Sequence, residues 1–407
     1  MDHNVHDDRI AVVDTSEKSR NNLRPATLHF CTSDSWGGLE IYSCSLMQRL
    51  QSAGCRVLAV CKPHSKVEEF LVAREIPFVH LPHYSPASIA SIRFVRSILQ
   101  LHDIQILHVH FHKDIWPASL ALRGDTCRRL YVSMYMGVGS KDDFWHRYIY
   151  RRVDGFFTSS KTLTARLPSL YVVPGQKVHF LPYGRALDRD SKSTERGSAI
   201  RSMLGLKPAD TLVGTMVRID PGKGVLDFVE SYVCLEESLR NKVHYLIVGE
   251  PTRKGRLKKG ESPFEPRCEK YLGEIQSFVS KHNLEKNIHF AGFQKDVTGY
   301  LGAMDIFVFP SRDELYSLVM LDAMALPLPI IAARASGNLE QIEDGVNGLL
   351  YEVASPQDLA AKLSIYLNNP QQRRQHQRAA RSFVEQNHDM TKTVNRLMEF
   401  YSSNDQQ

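Results

Sequence analysis

Two carboxylates and two cations stand out in this chain by type and spacing. A short loop is expected to carry Glu314 and the helix after it Asp322; the two are eight positions apart, about two helical turns, so they can face the same side. They follow an apolar run, Asp305 to Phe309, and then Pro310-Ser311. Acids in the first turn of a helix, at the carboxyl end of a strand, belong where an open α/β sheet binds ligands. A capped surface helix would show the same pattern. Arg218 and Lys223 lie in Val217-Arg218-Ile219-Asp220-Pro221-Gly222-Lys223-Gly224. A strand ending at Val217, a Pro-Gly turn and a helix start can aim a guanidinium, an ammonium and helix N–H groups at one phosphate. A solvent-facing turn is the other reading.

Further candidates sit at other strand ends. Gly37-Gly38-x-Glu40 occupies the first strand-to-helix turn, where paired glycines let backbone approach a phosphate or sugar; any tight turn uses the same pair. Trp36 before it is either an acceptor-side wall or a packing residue. His108 and His110 alternate on one strand and so share a sheet face. Two imidazoles suggest a metal, yet no third ligand is near in sequence, so no metal site is expected. Tyr135-Met136-Gly137 follows the next strand. Lys141, Asp142, Asp143, His146 and Arg147 precede an expected helix over 148–153 and form a polar cluster. It either reads an acceptor or starts a plain surface helix. Gly249-Glu250 and Gly292-Phe293 are strand-end turns.

The elements that must position these residues alternate along the chain. Strands are expected at 27–30, 56–60, 76–81, 104–109, 130–134, 155–158 and 178–184. A second set is expected at 212–217, 244–248, 288–291, 306–309 and 329–332. A stripe of Leu39, Tyr42, Leu46 and Leu50 marks the first helix, ended by Gly54. Such alternation means parallel sheets with right-handed crossovers. A length of 407 residues suits two domains. Residues 1–24 read as a flexible tail, 25–185 as the first domain and 186–385 as the second, with a polar linker near Arg185–Arg196. The end, from Pro370 to Ser402, is helical. The basic insert Arg253–Lys259 is a solvated loop, an anion site or a membrane contact.

Composition narrows the function classes. Hydrophobic content of 43% and charged content of 24% are ordinary for a soluble globular protein. A net charge of +6 is mild for this length. It suits an anionic small molecule or an anionic membrane surface better than a dedicated nucleic-acid binder. The seven cysteines lack Cys-x-x-Cys spacing and are expected to be reduced and mostly buried, as in a cytosol. No apolar run approaches about 18 residues, so no membrane span is expected, and the polar N-terminus does not read as a signal peptide.

The stretch from Pro310 through Asp322-Ala323-Met324-Ala325 resembles the Glu-x7-Glu motif of retaining nucleotide-sugar glycosyltransferases of family 4, glycosyl transferases group 1. Asp322 stands where that family has Glu, and Leu315-Tyr316-Ser317 where it has Gly-Phe-Gly. Arg218 to Gly224 resembles the family's Gly-Arg-Leu-x-x-x-Lys-Gly, and Gly37-Gly38-x-Glu40 its Gly-Gly-x-Glu. Met136-Gly137 stands where many members have a His-Gly whose His reaches the donor sugar, so either that contact is absent or a nearby residue such as His146 replaces it. The resemblance spans roughly residues 26–400. It implies the GT-B fold, two Rossmann-like doubly wound α/β domains facing a central cleft, and a helix over 386–407 crossing back to the first domain. It also implies the roles. Arg218 and Lys223 neutralise the leaving diphosphate, Glu314 orients the donor sugar and Asp322 holds the ribose hydroxyls. Gly37, Gly38, Gly249, Gly292, Phe293, Tyr316, Ser317 and Leu318 line the donor; Trp36, His110, Met136, Lys141 and His146 face the acceptor. The expected donor is a UDP-sugar rather than a GDP- or ADP-sugar, with no further cofactor and no metal. The expected acceptor is a glycan, a lipid-linked glycan or a small molecule, reached in the cytoplasm or at the inner face of an anionic membrane. A nucleotide-sugar epimerase and a non-catalytic sugar-binding protein remain as alternatives.

Overall fold

A computed structural model describes residues 24–81, 88–135, 137, 139–187, 193–254 and 261–402. The expected tail, Met136 and most of the basic insert lie outside the described residues. Among these, the chain forms two compact units. One comprises residues up to Gly184 together with the segment from Met390; the other runs from Arg185 to Asp389.

The first unit is built on a seven-stranded parallel sheet in the order β3-β2-β1-β4-β5-β6-β7. Its strands are β1 Ala26–Phe30, β2 Arg56–Cys61, β3 Phe78–His80, β4 Ile106–Val109, β5 Arg129–Met134, β6 Gly155–Thr158 and β7 Val178–Phe180. β1 and β4 are buried along their whole length, as strands covered on both faces must be. The expected spans 76–81 and 178–184 shrink to three residues each. The first helix, Gly38–Ser52, buries Glu40, Tyr42, Leu46 and Leu50. Glu40 rather than Leu39 turns inward there, because its carboxylate caps the helix: Gly37 N–H donates to Oε2 at 2.9 Å. The helix of the polar cluster spans Phe144–Tyr150, earlier than expected, because the Asp143 carboxylate accepts from the N–H groups of Trp145 and His146.

The final helix, Met390–Ser402, belongs to this first unit. It buries Met390, Val394, Leu397 and Tyr401. Tyr131 Oη donates to the Phe400 carbonyl at 2.7 Å, and Thr393 Oγ1 to the Pro182 carbonyl at 3.3 Å.

The second unit carries a six-stranded parallel sheet in the order β10-β9-β8-β11-β12-β13. Its strands are β8 Thr211–Met216, β9 Val243–Val248, β10 Ile288–Gly292, β11 Ile306–Phe309, β12 Ile330–Ala333 and β13 Leu349–Tyr351. β13 was not expected; three residues are too few for a period-2 signal. Its core joins Val213, Phe228, Tyr245, Ile247, Ile306, Val308 and Ile331. The expected linker is partly helical, since Ser193–Met203 forms a helix that includes Arg196. The chain order turns around at β8. From that strand one connection leads to β9 and the next side of the sheet begins at β11, which is where open α/β sheets form a ligand crevice.

Candidate functional site

At that turning point the loops after β8 and β11 meet. Asp220 Oδ1 accepts from Gly222 N–H at 3.0 Å, which shapes the Pro221–Lys223 turn. Gly224 then takes φ 64°, and a Cβ there would lie 2.2 Å from the Pro310 carbonyl oxygen. Only glycine allows both the left-handed backbone and this approach of the two loops. Arg312 N–H donates to the Gly222 carbonyl at 3.0 Å, and its guanidinium holds Asp227 through two 2.6 Å contacts. The result places Lys223 Nζ 2.7 Å from Glu314 Oε2, with Ser311 Oγ at 3.3 Å and the Asp313 carbonyl at 3.4 Å.

Glu314 lies in the short loop expected for it, and Asp322 on the helix that follows. That helix is Leu318–Ala325, so Glu314 is in the loop before it and Asp322 is beyond its first turn. The reason is the cap: Ser317 Oγ accepts from Met320 N–H. Gln341 pins the same residue, accepting from Ser317 N–H at 2.7 Å and donating to its carbonyl at 2.9 Å. Asn338 Nδ2 donates to the Ser311 and Ala333 carbonyls, and Gly337 N–H to the Glu314 carbonyl. The two acids therefore face different partners. Glu314 meets Lys223. Asp322 Oδ1 accepts from Arg185, with Nε at 2.6 Å. Burial pushes the Asp322 carboxyl up, and Arg185 opposes that shift.

Arg185 is thus not a linker residue in solvent. Its N–H donates to the His388 carbonyl at 2.7 Å, and His388 Nε2 lies 2.8 Å from Tyr316 Oη. Tyr316 and Asp322, both expected to line the donor, each contact a residue at one end of the second unit. Sequence reasoning missed Arg185 and His388. Their signal was weak, since each is a lone polar residue far from its partner in the chain.

The remaining second-unit candidates continue along the same carboxyl edge. Gly249, with φ 146°, would place a Cβ 1.9 Å from the Val217 carbonyl oxygen. Its N–H donates to the Gly292 carbonyl at 2.8 Å. Arg218 is exposed beside it, and Phe293 is 50% exposed. Leu318 begins the helix next to Ser317. Asp220 is committed elsewhere, with Oδ2 2.9 Å from Arg267. Two cations, bare glycine backbone and an open ring at the ends of β8 to β11 can hold a diphosphate and its base.

The first-unit candidates form a different set. Gly37 and Gly38 open the helix that Glu40 caps. Trp36 packs 6.2 Å from the Phe70 ring. Lys141 N–H donates to the Leu170 carbonyl, and His146 pairs with Asp143. His110 belongs to a buried imidazole array that the spacing alone did not reveal. His29 and His108 are register partners on β1 and β4, so His29, His108 and His110 gather with ring nitrogens within 4.8 Å. Their geometry is that of hydrogen bonding. His29 Nδ1 faces His110 Nε2 at 2.9 Å with the rings 10° apart. His108 Nε2 meets Ser133 Oγ at 2.7 Å and its Nδ1 meets Tyr401 Oη. A shared ion would have to separate the facing nitrogens and break the His108 contacts. Burial lowers the His29 pKa to about 3 and drives those of His108 and His110 well down.

Comparison with known proteins agrees with the two-sheet fold. Residues 198–383 match the family described as Glycosyl transferases group 1, and residues 36–189 match Glycosyltransferase Family 4. An Escherichia coli UDP-Gal:alpha-D-GlcNAc-diphosphoundecaprenol alpha-1,3-galactosyltransferase is 29% identical over 190 residues, 46% of this chain and 44% of that protein. The Acholeplasma laidlawii alpha-monoglucosyldiacylglycerol synthase is 23% identical over 75% of this chain and 79% of its own. The chain spans less than half the length of the first curated relatives it matches. In fold it resembles Anabaena HepE, crystallised with UDP and glucose, with TM-score 0.76 and 19% identity over 93% of this chain and 100% of that one. With both sheet domains matched in order along the chain, the protein belongs to the group 1, family 4 glycosyltransferases of GT-B fold.

Proposed function

We propose that this chain transfers a sugar from a UDP-sugar to a lipid-linked or glycan acceptor, with retention at the anomeric carbon and without a resident metal. The observation that carries this is the Lys223–Glu314 pair at the turning point of the second sheet, with Arg218 on the same strand edge. A departing diphosphate develops charge as the bond from sugar C1 to phosphate oxygen breaks. Preorganised cations placed there stabilise that charge. The acceptor hydroxyl forms the new bond to C1, and its proton passes to the leaving phosphate oxygen. Donor binding would draw Lys223 towards phosphate and release Glu314 towards the sugar. The donor choice is supported by UDP in the HepE structure, and the acceptor class by the diphosphoundecaprenol-linked sugar in the name of one relative and the glycolipid product in that of another.

A panel of UDP-, GDP- and ADP-sugars tests this reading, with nucleotide release measured with and without acceptor. Anomeric configuration of the product is read by NMR. The expected result is UDP release that rises with acceptor, retained configuration and activity that survives EDTA. Epimerised donor without acceptor would make the chain an epimerase. A thermal shift without turnover would make it a binding protein; a ligand at 100 times its Kd stabilises by about 2.7 kcal/mol.

A further inference from the structure

The helix Phe144–Tyr150 turns only part of its surface to the core. Ile149 and Tyr150 are buried, and Ser119 Oγ donates to the Ile149 carbonyl at 2.8 Å. The opposite side is apolar and bare. Phe144 is 72% exposed, Trp145 63% and Tyr148 36%. Phe144 and Trp145 touch edge to face at 5.5 Å. Three neighbouring aromatic rings open to water are unusual on a monomer surface and mark an interaction face. Phe144, Arg147, Tyr148 and Arg151 follow i, i+3, i+4, i+7 and so share one stripe. Arg151 is exposed at the helix end, and the Arg123 guanidinium stands 5.7 Å over the Tyr148 ring.

The charge around the rings is positive. Arg123 stands over Tyr148, and the stretch that carries the rings, 141–151, holds Lys141, Arg147 and Arg151 against two acids, Asp142 and Asp143. Asp143 is engaged by His146 and by helix N–H groups. Amphipathic rings with guanidinium groups beside them suit the headgroup level of a bilayer, where rings sit among headgroups and arginines reach lipid phosphates.

We infer that this face docks the first unit on an anionic lipid bilayer. The inference rests on the proposed reading that the acceptor is lipid-linked, since such an acceptor is presented at a membrane surface. The test uses the full chain and phosphatidylcholine vesicles with and without phosphatidylglycerol, in the absence of donor and acceptor. Sedimentation should show binding to the anionic vesicles that weakens with salt, and Trp145 fluorescence should shift to the blue. Phe144→Ser with Tyr148→Ser, and separately Arg123→Glu with Arg151→Glu, should each lower vesicle binding by roughly 10-fold or more. Both should leave the thermal shift with UDP unchanged.

Absence of vesicle binding by the native chain, or undiminished binding by both variants, overturns the inference. Concentration-dependent self-association abolished by Phe144→Ser would assign the face to a second copy and also overturn it. So would a raised KM for a soluble acceptor with vesicle binding intact, which would make the rings a sugar platform. Vesicle binding that depends on the face, in a protein that uses no lipid-linked acceptor, would uphold the docking surface and sink the acceptor reading alone.

Discussion

Lys223 and Glu314 are separated by 91 residues yet share a 2.7 Å contact, with side chains 17% and 26% exposed. A partly buried pair of this kind contributes modestly to stability, on the order of 1 kcal/mol, because taking the two charges out of water offsets much of their attraction. Its value is in position. Lys223→Ala and Arg218→Ala should each lower turnover on the order of 100-fold while the unfolding midpoint moves little, as for loss of one charge-stabilising donor. Steady-state UDP release beside a urea melt checks both halves; near-native turnover in both variants would remove the diphosphate role. Asp322 differs because its partner is internal and its side chain is only 16% exposed. Arg185→Met should cost roughly 3 kcal/mol, since it leaves a largely buried carboxylate unpaired. It should also raise KM for donor more than it lowers kcat. Arg185→Lys should recover part of the stability and less of the affinity, because an ammonium cannot reproduce the guanidinium's two-nitrogen grip.

At the scale of elements, β1, β4 and the residue just after β4 carry three imidazoles held neutral by burial. Their folded pKa values lie below the ordinary 6.5, so the unfolded chain takes up protons first as pH falls. The stability they represent is complete above about pH 7 and is lost progressively below about 6.5 and on toward pH 4. Each site that protonates only on unfolding contributes about 1.4 kcal/mol per pH unit across that window. Hydrogen exchange of the β1 and β4 amides at pH 7.5, 6 and 5 should show falling protection. Protection unchanged at pH 5 would mean the array is charged in the folded protein. The turn at Gly224 gives a second check on an element. Gly224→Ala should destabilise the second unit by more than about 1 kcal/mol, because it adds a Cβ to a left-handed residue against Pro310. A thermal melt that stays in place would show that the two loops separate freely.

At the scale of the molecule, both units draw residues from distant parts of the chain. Met390–Ser402 completes the first unit from the far end. Removing residues after Asp389 strips four buried apolar side chains, Met390, Val394, Leu397 and Tyr401, and takes the Phe400 carbonyl from Tyr131 Oη and the Tyr401 hydroxyl from His108 Nδ1. At about 1.5–3 kcal/mol per buried side chain this should cost roughly 6 kcal/mol or more. Amide exchange in β4 and β5 of the truncated chain should rise sharply while β8 to β12 stay protected. Equal exchange in full-length and truncated chains would show that the helix contributes no packing. Among the described residues no helix is long and apolar enough to cross a membrane.

The alternation of apolar runs and helical stripes was enough to assign two parallel-sheet domains. Most strand positions were legible to within two residues, because period-2 and period-3.6 patterns are local. Local chemistry also marked Arg218, Lys223 and Glu314, since a cationic turn and an acid after an apolar strand are short motifs. The pairings were not local. His29 joins His108 only because β1 lies beside β4, and chain order does not state which strands are neighbours. Asp322 meets Arg185 across 137 positions, a contact that exists only once the helix Leu318–Ala325 is docked. The sequence placed Glu314 in a loop and Asp322 on the helix after it, as observed; what the spacing did not show is that the Ser317 cap and Gln341 leave the two acids facing different partners. Composition and periodicity therefore determined what kinds of elements form, through hydrophobic burial and backbone geometry. Which side chains share a site was decided by tertiary packing, because burial and hydrogen-bond satisfaction act across strands that are remote in sequence.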